Sequence, residues 1–409
     1  MATNSITLNN ARPHSLDTSA FPAEAQFIIR LLQKLEHGSL QMHFPDGQIA
    51  SFGDGKPSVT LNLRNWQVCN AILKSGDIGF AETYIDGHWT TSNLPALIEL
   101  ISHNRRHLEE IIYGTWWGNL LYRARHLLNR NSRTGSKKNI HAHYDIGNDF
   151  YRLWLDPTMT YSSALFSSDH VGSLQDGQVN KYRRILDELQ AGFGSRILEI
   201  GCGWGGFAEI AAGETGAHVT GLTLSGEQLE FAQQRLNRAG LQQHSQLKLQ
   251  DYRDSEGEYD AIASIEMFEA VGEKYWPSYF DCIHRNLKQN GRACIQTIVI
   301  DDALFDRYRK GTDFIQQYIF PGGMLPSIEV FTQYAEKHGL KVVETFNFGM
   351  DYARTLLEWR TAFAEKLQEI RAQGFDEKFL RTWEFYLAYC EAGFRAGSIN
   401  VTQFTLVKP

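Results

Sequence analysis

Eight residues constrain this chain more tightly than any others: Glu199-Ile200-Gly201-Cys202-Gly203-Trp204-Gly205-Gly206. They end the short apolar run Arg196–Ile200 and lead into a helical pattern that begins at Phe207–Ala212. Glycines in a strand-to-helix turn let the backbone bend sharply. They also let a ligand approach the helix N-terminus, whose free N–H groups favour a carboxylate or phosphate. Gly201, Gly203 and Gly206 satisfy the spacing G-x-G-x-x-G. A dinucleotide site also wants an acid about 20 residues on, at the tip of the second strand, and that region reads Gly221-Leu222-Thr223-Leu224-Ser225. The acid here stands before the first glycine, as Glu199. A carboxylate at that place can hold an ammonium group, which NAD lacks and S-adenosylmethionine carries. A purely structural glycine turn is the alternative.

The rest of the chain supplies the setting. Beyond Arg196 strand and helix patterns alternate, with further strands expected at Ala217–Leu222, Gln246–Leu249, Tyr259–Ile265, Ala293–Ile300, Lys341–Phe348 and Val401–Val407. Seven strands alternating with helices sum to an α/β fold with an open, doubly wound sheet. The stretch Asp301–Ser327 and the helical run Leu356–Phe394 interrupt it, and insertions after strand ends in such sheets sit where ligands bind. Upstream, Phe27, Ile28, Leu31, Leu32 and Leu35 recur at helical spacing. Leu40–Leu63 alternates around turn signals as short antiparallel strands would, and Trp66–Leu73 and Leu94–Ile112 read as helices. The expected organisation is a mobile tail over 1–20, a small α+β domain over 21–122, a linker over 123–142 and a catalytic domain over 143–409. Arg123, Arg125, Arg130, Arg133, Lys137 and Lys138 make the linker basic. It reads either as a solvated connector or as a contact with anionic lipid headgroups, worth up to about 1 kcal/mol per cation.

Composition narrows the class. A net charge of −7 argues against general nucleic-acid binding, which needs a basic face. Five scattered cysteines without a C-x-x-C exclude a disulfide framework and a recognisable zinc site. No apolar run reaches the length of a membrane span, and Met1–Pro22 lacks the pattern of a secretory signal. A cytoplasmic protein is expected.

Several motifs together resemble one family. Glu199–Gly206, followed by Leu222-Thr-Leu-Ser-Gly-Glu-Gln228, is similar to the methyl-donor site of the cyclopropane-fatty-acyl-phospholipid synthases. The resemblance extends through His143–Tyr151, Leu155–Ser162, Gln250–Asp254, Met267–Glu269, Tyr318–Pro321, Leu325–Ser327 and Tyr389–Arg395. Upstream, Gly76–Gly87 and Trp89 look like the lipid-carrier-like N-terminal domain of the bacterial enzymes.

The resemblance implies a class I methyltransferase with helical lid insertions. Its substrate would be the double bond of an unsaturated acyl chain in a membrane phospholipid. It places Tyr161, Ser162, Gly201, Gly203, Thr223 and Gln228 against S-adenosylmethionine, with Asp251 and Tyr252 near the adenine. An alkene is a poor nucleophile, so the methyl must come from a sulfonium. The cation left on the acyl chain is one that aromatic faces can stabilise, and Tyr318, Phe320 and Tyr352 are candidates. The enzyme would work peripherally at the bilayer, and a homodimer is left open.

The resemblance breaks at the base. Ring-closing members of the family hold a bicarbonate ion in a pocket of Cys, Glu, His, a backbone Ile and Tyr. Glu269, Ile298 and Tyr352 match, but the Cys position reads Ser163 and the His position reads Gln296. Gln donates a hydrogen bond to an anion but cannot relay a proton as His does. Glu266 appears where a small residue is common. It reads either as a surface carboxylate capping the helix that follows or as a partner of Glu269 in base work, since two nearby carboxylates push one pKa upward. The anion site could survive in weaker form, or the product could be methyl-branched. Cys390 reads as a buried small residue rather than a nucleophile. Two other readings stand beside the lipid enzyme: a methyltransferase of this fold acting on a different acceptor, such as a small amine, and a non-catalytic lipid-binding protein.

Overall fold

Two sheets and the helices around them are described by the computed structural model, which covers residues 16–109, 146–166 and 172–409. The basic linker and most of the tail lie outside the described residues.

The N-terminal unit begins with helix α1 (Ala23–Leu32), whose buried stripe of Ala25, Ile28, Ile29 and Leu32 covers a small sheet. Strands β1 (Ser39–His43), β2 (Ile49–Phe52) and β3 (Ser58–Leu63) follow, then helices α2 (Gln67–Ser75) and α3 (Asp77–Ile85), strand β4 (Trp89–Thr91) and helix α4 (Leu94–His103). The sheet order is β2-β1-β3-β4. β1 and β2 are antiparallel, but β1 and β3 pair in parallel, against the expectation of an all-antiparallel set. After the hairpin, the Gly53–Gly55 loop crosses beneath Gly38 to the other edge of β1, so the chain re-enters the sheet in the original direction. The crossing is tight: a Cβ on Gly53 would lie 2.3 Å from the Gly38 carbonyl oxygen. Helix α4 ends at His103, earlier than its apolar pattern suggests. Asn104 stops it, its side chain accepting from the Glu36 and His37 N–H groups and donating to the carbonyls of His37 and Leu100.

The larger unit opens with α5 (Asn148–Tyr151) and α6 (Leu174–Leu189), the latter started by a Ser173/Asp176 capping box. It continues β5 (Arg196–Ile200), α7 (Gly206–Thr215), β6 (His218–Thr223), α8 (Gly226–Arg238), β7 (Ser245–Leu249), β8 (Tyr259–Ile265), α9 (Trp276–Asn286) and β9 (Leu287–Ile300). The last part is α10 (Asp302–Lys310), a π-helical turn at Ile315–Ile319, α11 (Ile328–Lys337), β10 (Lys341–Asn347), α12 (Gly349–Glu365), α13 (Leu367–Ala372), α14 (Glu377–Arg395) and β11 (Ile399–Val407). The seven strands lie in the order β10-β11-β9-β8-β5-β6-β7, so the doubly wound sheet is present. β7, β6, β5, β8 and β9 are parallel, and β11 runs antiparallel to both β9 and β10. Strand order reverses between β5 and β8, and ligands bind at the carboxyl ends beside such a switch point.

The expected run Leu356–Phe394 is three helices, broken after Glu365 and at the left-handed Gly374 and restarted by the Asp376 cap. α14 also forms the dock for the N-terminal unit. Tyr84 donates to Glu384 (2.7 Å), Arg381 donates to the Tyr84 carbonyl (2.7 Å) and Tyr389 donates to Asp77 (2.8 Å). One buried apolar cluster runs from the small sheet through Phe385 of α14 to Tyr151 and Trp154.

Candidate active site

A cleft partly open to solvent lies at the carboxyl ends of β5, β6 and β8. The eight residues that the resemblance assigns to the methyl donor line it, Tyr161, Ser162, Gly201, Gly203, Thr223, Gln228, Asp251 and Tyr252, and so does Glu199, which the loop itself pointed to. The local sequence explains why they converge. Gly201 (φ +87°) and Gly203 (φ +48°) adopt left-handed conformations, and a Cβ on Gly201 would come within 2.9 Å of Met267 Cγ. The bare backbone therefore turns between β5 and α7 beneath the cleft. Ser225 caps α8 by accepting from the Gln228 N–H, and the Thr223 hydroxyl donates to the Gln228 side-chain carbonyl at 3.0 Å.

Glu199 is 2% exposed, and its Oε2 has no hydrogen-bond partner within the protein. Burial pushes its carboxyl up to about 8, with the Arg235 guanidinium pulling back. A buried carboxyl with an unsatisfied oxygen at a ligand cleft fits an ammonium group, the function that the sequence assigns to this position. Asp251 lines the same wall, with both its oxygens engaged by the Arg253 guanidinium at 2.6 and 2.8 Å. That ion pair shapes the wall beside Tyr252.

The base residues form a second group behind the cleft, and Glu266 joins the two. Glu266 lines the cleft, whereas Ser163, Glu269, Gln296, Ile298 and Tyr352 do not. Its carboxylate accepts from the Ser163 N–H (2.8 Å), the Gln296 side-chain amide (2.8 Å) and the Tyr352 hydroxyl (2.6 Å). The reading of Glu266 as a surface helix cap is therefore overturned. It follows β8 in a left-handed conformation (φ +49°), which turns the side chain inward beneath the Ser163 backbone. Burial raises its pKa, opposed by the Lys181 ammonium and these hydrogen bonds. Glu269 accepts from the Ile298 N–H, while its other oxygen is buried with no partner; burial first and Glu266 second raise its pKa. Gln296 is held at both ends, because its carbonyl accepts from Gln403 at 3.0 Å. The Ser163 hydroxyl turns away and donates to the Ala164 carbonyl.

The aromatic candidates separate. Tyr352 stacks on Phe394 (4.4 Å between centroids), and Phe320 meets Tyr386 edge-on (6.2 Å). Tyr318 faces elsewhere: it is 37% exposed and donates to Glu82 of the N-terminal unit. Tyr161 shares a 2.6 Å hydrogen bond with Tyr386, which ties the cleft to α14. Cys390 stays a protonated thiol, its pKa raised by burial.

Sequence reasoning missed Lys181. It is fully buried on α6 and donates to the Ser162 hydroxyl (2.5 Å) and to Gln178 (2.7 Å). The signal was there to find, because Gln178 and Lys181 fall on the helix stripe that also carries Tyr182, Ile185, Leu186 and Leu189. A lysine on an apolar stripe needs a partner.

The sequence profile of a family described as mycolic acid cyclopropane synthetase matches residues 131–404. The chain is 36% identical over 396 residues to the tuberculostearic acid methyltransferase of Mycobacterium tuberculosis, covering 94% of this chain and 92% of the relative. It is 34% identical over 355 residues to the cyclopropane-fatty-acyl-phospholipid synthase of Escherichia coli, covering 86% and 88%. Among solved structures, mycolic acid cyclopropane synthase CmaA1 complexed with SAH and CTAB is similar with a TM-score of 0.62 at 33% identity, covering 66% of this chain and 98% of that one.

Proposed function

This chain belongs to the mycolic acid cyclopropane synthetase family, and we propose that it transfers the methyl of S-adenosylmethionine to the double bond of an unsaturated phospholipid acyl chain, closing a cyclopropane ring. The observation that carries this reading is Glu266, the one residue shared by the donor cleft and the buried carboxylate group. The relatives support it: one is named a cyclopropane-fatty-acyl-phospholipid synthase, and a neighbour is solved with SAH.

When bound, the donor supplies an electrophilic methyl on a sulfonium. The chain's own residues do the rest. Glu199 would hold the donor's ammonium group, Gly201 and Gly203 would let the protein backbone approach it, and Thr223, Gln228, Asp251 and Tyr252 would border the remainder. Tyr161 and Ser162 line the same cleft. Methyl addition leaves a cation on the acyl chain, and the Glu266 carboxylate at the cleft wall lowers its energy. Ring closure then requires loss of a proton from the added methyl to a carboxylate of the Glu266–Glu269 pair. Ser163, Gln296 and Tyr352, which the resemblance assigns to bicarbonate, already donate to Glu266. These bonds support a protein-borne base, with which activity should survive bicarbonate depletion.

A second reading gives an open-chain methylated product. Gln296 and Ser163 depart from the ring-closing pattern, and another relative is named a methyltransferase. The N-terminal unit and the linker cations serve peripheral attachment to anionic lipid. No helix among the described residues is long and apolar enough to cross a membrane.

One experiment tests these points. Purified protein is incubated with methyl-labelled donor and vesicles of cis-monounsaturated phospholipid, with and without bicarbonate, and the fatty acids are analysed. A labelled ring is expected, with turnover on anionic vesicles falling as salt is added. A labelled branch would select the second reading, and unlabelled chains would overturn both.

A further inference from the structure

Beneath the Tyr161–Ser163 segment lies a buried cation that the reaction outlined above does not use. Lys181 is fully buried, and its ammonium donates to the Ser162 hydroxyl (2.5 Å) and to the Gln178 carbonyl oxygen (2.7 Å). Gln178 in turn donates to the Ser162 backbone carbonyl at 2.9 Å. The next residue, Ser163, presents its N–H to Glu266 at 2.8 Å. α6 thus grips Ser162 from two sides, and Ser162 delivers the neighbouring N–H to the carboxylate at the cleft wall.

A buried ammonium without a compensating anion is costly. Burial lowers the Lys181 pKa to about 7, so it carries its charge on the acid side of neutrality, and the anions that oppose the shift are Glu266, at the end of β8, and Asp156, in the loop after α5. Asp156 has one oxygen occupied by the Thr158 N–H and the other without a partner. On Lys181's own helix the Tyr182 ring lies 4.6 Å from the ammonium. Around Glu266 the other titratable groups are Tyr352 of α12 and Glu269. Three donors and the field of one ammonium oppose the burial that raises the Glu266 pKa, and each favours its ionised form.

We infer that Lys181 is a positioning residue for the base: it fixes the Ser162–Ser163 backbone that binds Glu266, and its charge holds Glu266 as a carboxylate. This inference rests on the proposed methyl transfer for its kinetic consequence but not for its electrostatic one. With Glu266 ionised, the carboxylate pair can accept the proton released at ring closure, and one member becomes the neutral acid. Without the ammonium, both macroscopic ionisations of the pair move to higher pH and the site stays protonated near neutrality.

Two charge-removing variants and one charge-keeping variant test this. K181Q retains a donor for Ser162 but no charge, K181M retains neither, and K181R retains the charge. The acid limb of the kcat/KM profile should move up by about one pH unit in K181Q and K181M, while K181R keeps the wild-type midpoint. A merely structural lysine would lower the rate at every pH without moving the limb, so a wild-type midpoint in K181Q would overturn the inference. Infrared spectroscopy supplies a readout that needs no turnover. K181M at neutral pH should show an added carbonyl-stretch band of a protonated carboxylic acid, lost again in K181M/E266Q, and its absence would equally overturn the inference. The double variant also guards against misfolding, since it removes both buried charges together. Wild-type protein that labels no lipid while K181M shows the band would reject the proposed reaction and retain the Lys181–Glu266 coupling.

Discussion

At the scale of single residues, Glu199 couples ligand binding to protons. Its carboxyl sits near 8 in the folded protein because it is buried, against an ordinary value of 4.5. A folded-state pKa raised in this way means that the native protein holds a proton which the unfolded chain has released. Its contribution to stability is therefore present below the ordinary value and lost as pH rises toward 8. A ligand bearing an ammonium group reverses the preference, because it binds the ionised form and expels the proton. Affinity for S-adenosylhomocysteine should accordingly weaken as pH falls from about 8 to about 6, by up to about tenfold per unit. Calorimetry across that range would check it. Glu199→Gln should flatten the dependence and weaken binding by about tenfold or more, the scale of one hydrogen bond to a charged group. A variant that kept the wild-type pH dependence would show that the ammonium lies elsewhere.

At the scale of elements, the turn from β5 to α7 brings the donor loop and the base together. Gly201 occupies a left-handed conformation, and Met267, one residue beyond Glu266, packs where its side chain would stand. Gly201→Ala should destabilise the fold by about 2 kcal/mol, from backbone strain and the 2.9 Å approach to Met267. It should also weaken both donor binding and turnover, because Met267, next to Glu266, must give way to the added methyl. A thermal melt with donor titration would separate the two effects. Unchanged turnover at reduced stability would mean that the turn moves without disturbing the base. This loop was legible because its signal is local: strand, glycines, acid and helix follow one another in the chain. The role of Glu266 was left open, between a surface cap and base work. Its partners Ser163, Gln296 and Tyr352 come from three remote segments, and a left-handed backbone at residue 266 chooses between surface and interior.

At the scale of the whole molecule, the N-terminal unit docks beside a pair of half-buried acids. Asp77, at the start of α3, accepts from the Tyr389 hydroxyl of α14 (2.8 Å) and from the Phe314 N–H (3.2 Å). Burial and the neighbouring Asp313 raise its pKa, and burial raises that of Asp313. Both shifts have the same sign. The contact is strongest while the carboxyls hold their protons, and it loses stability as pH rises from about 4, the ordinary carboxylate value, to about 7. Asp77→Asn should flatten that decline in melting temperature, whereas an unchanged slope would place the titrating groups outside this interface. α14 carries Tyr389 at this dock and Tyr386 against Tyr161 of the cleft, so one helix spans both units. Its long apolar pattern announced a helix. Nothing in a one-dimensional pattern says which of its faces meets which partner.

The sequence by itself determined the doubly wound sheet, the donor loop and the residues lining the cleft, because strand–helix alternation and a glycine turn are written in consecutive residues. The parallel pairing of β1 with β3, the inward turn of Glu266, the outward turn of Tyr318 and the burial of Lys181 were decided only by the tertiary structure. Each depends on which distant segment occupies the neighbouring space, and burial sets both the cost of a charge and the partner it must find.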